Sequence, residues 1–271
     1  MELENRGISQ GLAPYALPDD VFQAVIDLAF KSDMLIFGAL HGTQEVPRII
    51  LSLLNELTTA GYRGLALEIP RDERYGIERW AKGQDSTPPD FFAQPFADGR
   101  GNRETLALIR YAAQNDWSLL CFDQGPDQPA RRWSDRDGWM AENLTRQWQT
   151  LCPTVKIVAI CGSMHSRLTL PFLQDALTSC WPSFAYQLCC VYPDKIVSAI
   201  KIGFQSGTYF DMGPRRLHSF GLEWLRPLKK PIIRIAQDHS CELFLPRATA
   251  ATFLAPPHEW TTPLTTKFFL P

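Results

Sequence analysis

Short apolar runs and stretches of helical spacing alternate along the chain. Residues 34–38 (MLIFG) form a continuous apolar run, the mark of a strand buried on both faces. After the loop LHGT, residues 45–60 carry Val46, Ile49, Ile50, Leu53, Leu54 and Leu57 at helical spacing. Thr43 or Gln44 is placed to cap this helix, and Gly61 to end it. Residues 64–69 (GLALEI) then read as a second strand, which completes a β-α-β unit. The alternation continues with a helix over 103–115, a strand over 118–122, a helix over 135–151, a strand over 155–161 and a helix near 167–179. Residues 184–191 (FAYQLCCV) and 196–204 (IVSAIKIGF), joined by the turn YPDK, read as an antiparallel hairpin. The pattern predicts an α/β fold: a mainly parallel sheet, mixed at its edge, with helices on both faces.

Two stretches break this rhythm. Residues 83–102 lack periodicity but hold Phe91, Phe92 and Phe96, too apolar for a solvated loop. They are expected to form a lid, with Phe92 walling the substrate. The tail over 205–271 is proline-rich, carries Trp224 and Trp260, and offers weak strand signals at 232–235 and 242–245. No linker composition interrupts the chain, so one α/β domain over residues 1–271 is expected.

Composition narrows the function classes. The 271 residues are 45% hydrophobic and 21% charged, which suits a chain that buries a core and excludes a disordered or fibrous one. Lys plus Arg (27) nearly balances Asp plus Glu (29), and no basic run stands out, so no nucleic-acid partner is expected. Seven cysteines without a CxxC argue against a disulfide framework and a cysteine zinc site. Most sit in apolar runs (LLCFD, VAICG, QLCCV), where cysteine acts as a small hydrophobe. The opening MELENRGISQ has neither the basic nor the apolar region of a signal peptide. No apolar run reaches the ~20 residues that span a bilayer. A reducing, cytoplasmic setting without a membrane partner is the expectation.

Candidate chemistry gathers at the strand ends, where open parallel sheets bind ligands. His41, Glu68, Asp123 and His165 each stand at or just after a predicted strand. Both histidines share a setting, Gly-x-x-His, in GALH and GSMH. A glycine there lets the chain turn sharply and leaves room for a ligand. A carboxylate beside a histidine can activate water, and a second histidine can stabilise an oxyanion or protonate a leaving group. The same groups could instead hold a divalent metal. A covalent serine mechanism is disfavoured, because GxSxG is absent. Glu45 has a plain structural reading in the first helical turn, where an acid favours the dipole, and Asp123 can equally be read as a strand end. His218, His239 and His258 read as surface or core residues of the tail, with Asp238-His239 the pair that could join the site.

The stretch FGALHGTQEVPRIILSLLNELTTAGYRGLALEIPRDER resembles the opening of the erythromycin-esterase family, with its His-Gly-Thr-x-Glu motif, a helix, and a strand ending in glutamate. RDGWMAEN at 136–143 is similar to that family's Arg-Asp-x-x-Met-Ala-x-Asn helix and falls in the expected order. The paired Gly-x-x-His motifs also resemble the wider superfamily of Tiki/TraB proteases and ChaN-like haem-binding proteins. The resemblance covers about residues 34–170. It implies hydrolysis of an ester, lactone or amide in a small-molecule partner. His41 would be the general base, Glu68 would orient it, and His165 would serve the oxyanion or leaving group. Glu45 would complete the catalytic set, while Asp123, Arg136, Arg71 and Phe92 would contact or support the substrate. No cofactor is expected. The alternatives are a metal-dependent hydrolase with His41, His165 and a glutamate as ligands, a lyase or cyclase using the same acid-base pair, and a non-catalytic haem- or ligand-binding protein.

Overall fold

The computed structural model describes residues 12–93, 99–151, 154–170, 181–210, 214–217 and 227–254. Helix α1 (Asp19–Lys31) starts with two aspartates at the positive end of its dipole and buries Val21, Val25, Ile26 and Ala29. The first β-α-β unit follows as β1 (Met34–Ala39), α2 (Glu45–Thr59) and β2 (Tyr62–Pro70). All six apolar positions read as the helix's inner face are buried. Each is worth ~1.5–3 kcal/mol relative to exposure. A single 3-10 turn (Arg71–Glu73) leads into α3 (Arg74–Ala81) and the short α4 (Asp90–Ala93). Helix α5 (Arg103–Gln114) is capped by Asn102, whose side chain accepts the Thr105 N–H. Then come β3 (Ser118–Asp123), α6 (Trp133–Trp148) and β4 (Lys156–Gly162). The chain continues through α7 (Phe184–Val191), β5 (Val197–Phe210), β6 (Pro214–Leu217), β7 (Ile232–Arg234) and β8 (Cys241–Ala248).

These strands form one eight-stranded sheet in the order β3-β2-β4-β1-β5-β8-β7, with β6 paired to β5. The first six of that order run parallel, while β7 and β6 are antiparallel to their neighbours. Alternation along the strands feeds two cores. Leu35 and Phe37 of β1 pack with α1, α2 and α5, while Met34 and Ile36 pack with α6 and α7 on the other face. The fold is therefore α/β, with a mixed sheet and helices on both faces. Among the described residues no helix is long and apolar enough to cross a membrane.

The hairpin expected over 184–204 is corrected. FAYQLCCV is a helix that buries Phe184, Ala185 and Leu188 on one side, and β5 crosses back to lie parallel to β1. Eight apolar-biased residues fit either state by periodicity; Ser183 decides, because its side chain accepts the Tyr186 N–H as an N-cap. The sheet is mixed through β6 and β7 instead. Phe92 is also corrected as a substrate wall. Phe91 and Phe92 lie edge-to-face at 5.0 Å, and both are buried in the core cluster. Phe96, most of the 167–179 helix, Cys152, Cys180, His218, His258, Trp224 and Trp260 lie outside the described residues.

Candidate active site

Strand order places the candidate residues side by side. β4 lies between β1 and β2, so the loop after β1, the end of β2 and the turn after β4 meet at one carboxyl edge. His41 follows β1, Glu68 stands in β2 where its pairing with β3 shifts register, Asp123 ends β3, and His165 lies in the turn after β4. His41 Nε2 is 3.2 Å from Glu68 Oε2, and His165 Nε2 is 3.8 Å from Glu68 Oε1. The Gly162 N–H donates to Glu68 Oε2 at 2.7 Å, which fixes the carboxylate.

The paired glycines make room for side chains. A Cβ on Gly162 would stand 2.9 Å from His41 Nε2 and 3.3 Å from His165 Cδ2, while one on Gly38 would meet Ser166 Oγ at 2.1 Å. Only glycine lets these groups approach the two strands so closely.

Two arginines complete the cluster. Arg136, from the first turn of α6, grips Asp123 with Nε (2.9 Å) and Nη2 (2.7 Å), and its Nη2 also bonds Glu68 Oε1. Arg100 donates from Nη1 to Glu68 Oε1 and Asp123 Oδ2, both at 2.8 Å. Two buried carboxylates thus face two guanidiniums, as buried charge requires. Burial works against the Glu68 carboxylate, but Arg100, Arg136, His41 and His165 offset it and hold its pKa well below the usual range. Asp123 is also lowered, with Arg136 and Arg100 outweighing burial. Arg136 was legible through the RDGWMAEN resemblance; Arg100, in the aperiodic 83–102 stretch, carried no signal that sequence reasoning used.

The second histidine is held differently from the expectation. Arg136 Nη1 lies 2.8 Å from His165 Nε2, and a guanidinium only donates, so Nε2 accepts. The ring proton then sits on Nδ1, toward the buried Asp137 carboxylate. Burial raises the pKa of Asp137, against the pull of His165 and Arg136, and its Oδ2 has no hydrogen-bond partner. His165 therefore braces Arg136 in this structure, and Asp137 braces His165. Asp137 is a site residue that sequence reasoning missed, although it adjoins Arg136 in the chain.

The remaining candidates stand apart from the pocket. Glu45 is buried in the first turn of α2, where Oε1 accepts the Thr249 N–H at 2.8 Å and Oε2 is unpartnered. Burial pushes its pKa up to about 7, although the Thr249 hydrogen bond and Arg48 pull it down. Arg71 does not line the pocket; its guanidinium pairs with Asp127 and reaches Asn143 at 3.4 Å. Next to His165, Ser166 Oγ is 2.8 Å from His239 Nε2, whose Nδ1 is 2.7 Å from Asp238 Oδ1. This Ser-His-Asp chain resembles a nucleophile triad, but Ser166 is fully buried, so it anchors the turn that carries His165.

His41 and Glu68 open onto a pocket of about 430 Å³ of empty space, part of it shared with solvent. Arg100 and Asn102 are among its polar lining residues, and Leu40, Val46, Leu67, Ile69 and Ile160 among its apolar ones. His165 and Phe92 do not line it. Among the described residues, no three His, Cys, Asp or Glu side chains are arranged to hold a metal. Arg100 and Arg136 fill the approaches to Glu68 that a cation would use. The arrangement does not fit the expected alternative of a His41–His165–glutamate metal site.

No protein-family model and no curated protein matches the sequence. Solved structures do share the fold. A Bacillus cereus protein aligns with TM-score 0.65 at 12% identity, covering 91% of this chain and 96% of its own. A succinoglycan biosynthesis protein aligns with TM-score 0.65 at 10% identity, over 93% and 99% of the two chains. An erythromycin esterase in its open conformation aligns with TM-score 0.54 at 10% identity, over 90% and 98%. Bacterial toxins align more loosely; this chain spans 38% of the length of one of them, at TM-score 0.47. At such identities the likeness shows a common fold.

Proposed function

We propose that the protein hydrolyses an ester or lactone of a small molecule, with His41 as general base. The observation that carries this reading is the His41–Glu68 pair at the pocket wall, with Glu68 buried, ionised and fixed from behind. With Nε2 facing the carboxylate, Nδ1 is the nitrogen that takes a proton from water. The water oxygen then bonds to the substrate carbonyl carbon, and the carbonyl becomes an oxyanion. Arg100, which lines the pocket, is the cation placed to stabilise that charge. Collapse breaks the carbon–oxygen bond, and the leaving alkoxide recovers the proton from His41, giving acid and alcohol. Glu68 orients His41 and offsets the charge it gains. Arg136, His165 and Asp137 are positioning residues that hold Glu68 in place. The fold shared with an erythromycin esterase supports the reading without naming a substrate.

The test is a panel of 4-nitrophenyl esters and simple lactones incubated with the wild-type protein in ¹⁸O-labelled water. The expected result is product acid carrying one ¹⁸O. Products formed without label incorporation, as in elimination or cyclisation, would overturn the hydrolytic reading.

A further inference from the structure

The walls of the pocket specify more than a reaction type. Its apolar lining comes from four parts of the fold: Leu40 after β1, Val46 on α2, Leu67 and Ile69 on β2, and Ile160 on β4. No Phe, Tyr or Trp among the described residues lines it. Glu68 is matched by Arg100 and Arg136, so no unmatched charge awaits a second ionic group on the ligand. The Asn102 side chain is also committed, donating to the Gly99 carbonyl and accepting from Thr105 N–H.

We propose that the substrate of the His41–Glu68 site carries a short, neutral aliphatic chain on the scissile group, lodged between Leu40, Val46, Leu67 and Ile160; this rests on the hydrolase reading above. The size follows from the space. Only about 40 Å³ of the pocket admits a water-sized group, so the chain it takes is short.

The experiment has two readouts on the wild-type protein. The first is kcat/KM for 4-nitrophenyl esters from acetyl to decanoyl. The second is binding of acetamide, butanamide and hexanamide, followed by the backbone NMR shifts of Val46 and Leu67. Burying each methylene should raise both by about three- to fourfold while the chain stays between the apolar walls, and the gain should stop before decanoyl. An ester of the same length ending in a carboxylate should lose the gain. Leu40→Trp should collapse the preference of the best chain over acetyl. Turnover with no chain-length dependence would overturn the aliphatic assignment and leave the hydrolase standing. Graded amide binding without turnover of any ester would overturn the hydrolase reading and keep the pocket's ligand class. Absence of both would overturn both.

Discussion

Replacing Glu45 by glutamine isolates the energetic cost of one buried carboxylate. Burial raises its pKa from 4.5 to about 7, with Arg48 and the Thr249 N–H only partly compensating. Between those values the folded chain keeps a proton that the unfolded chain has lost. The unfolded state therefore binds fewer protons, and stability falls as pH rises through that window. At about 1.4 kcal/mol per pH unit, the carboxylate costs the folded state about 3 kcal/mol at pH 8. The substituted glutamine can still accept the Thr249 N–H through its side-chain oxygen but carries no charge. Chemical unfolding of wild type and Glu45→Gln at intervals from pH 4.5 to 8, followed by circular dichroism, gives the difference directly. Histidine titrations are common to both proteins and cancel. The variant should match wild type near pH 4.5 and exceed it by about 3 kcal/mol at pH 8. A difference that stays flat across the range would refute the assignment of a strained, buried carboxylate at this position.

Other perturbations read the site itself. Gly162→Ala places a methyl 2.9 Å from His41 Nε2, the end of a side chain that can yield. The fold should persist while kcat/KM drops by about 10²-fold, the cost of roughly 1 Å of misplacement; unchanged kinetics would show that His41 position is immaterial. Asp137→Asn removes a buried charge whose pKa burial has raised, so thermal stability at pH 8 should hold or rise while turnover falls. A loss of stability there would contradict the unpartnered Oδ2. Glu68 and Asp123 have lowered pKa values, so their contribution is complete above pH ~4.5 and is lost as pH falls through their folded values. Glu68→Gln leaves two arginines against one carboxylate and should cost about 3–5 kcal/mol at pH 7. Melting curves for both proteins between pH 3 and 7 check this, and overlapping curves would count against it.

The sequence disclosed the elements whose local signals agreed with their tertiary setting. β1, α2 and β2 were legible because MLIFG and GLALEI are too short and apolar for anything but buried strands, and the helix between them has a clean inner face. His41 and Glu68 followed from strand ends alone. The error over 184–191 came from reading apolar content and passing over Ser183, the cap that marks a helix start. Phe92 misled for a related reason: an apolar residue in an aperiodic stretch packs inward as readily as it covers a ligand. Arg100 was invisible because only tertiary folding brings it to Glu68, across 32 positions of chain. The Ser166–His239 contact, 73 positions apart, has the same origin. Local patterns report faces and caps; long-range polar pairing is settled by topology.

The central claim is that His41 moves the proton, and its most direct test is one rate comparison. Wild-type and His41→Ala proteins, matched by circular dichroism, are assayed on 4-nitrophenyl hexanoate with and without a chelator. His41 sits in a strand-end loop and lines the pocket, so its loss should leave the fold intact. General-base catalysis predicts hydrolysis in wild type and a loss of at least ~10²-fold in the variant. Near-equal rates in the two proteins, or a wild-type activity that the chelator abolishes, would contradict the account.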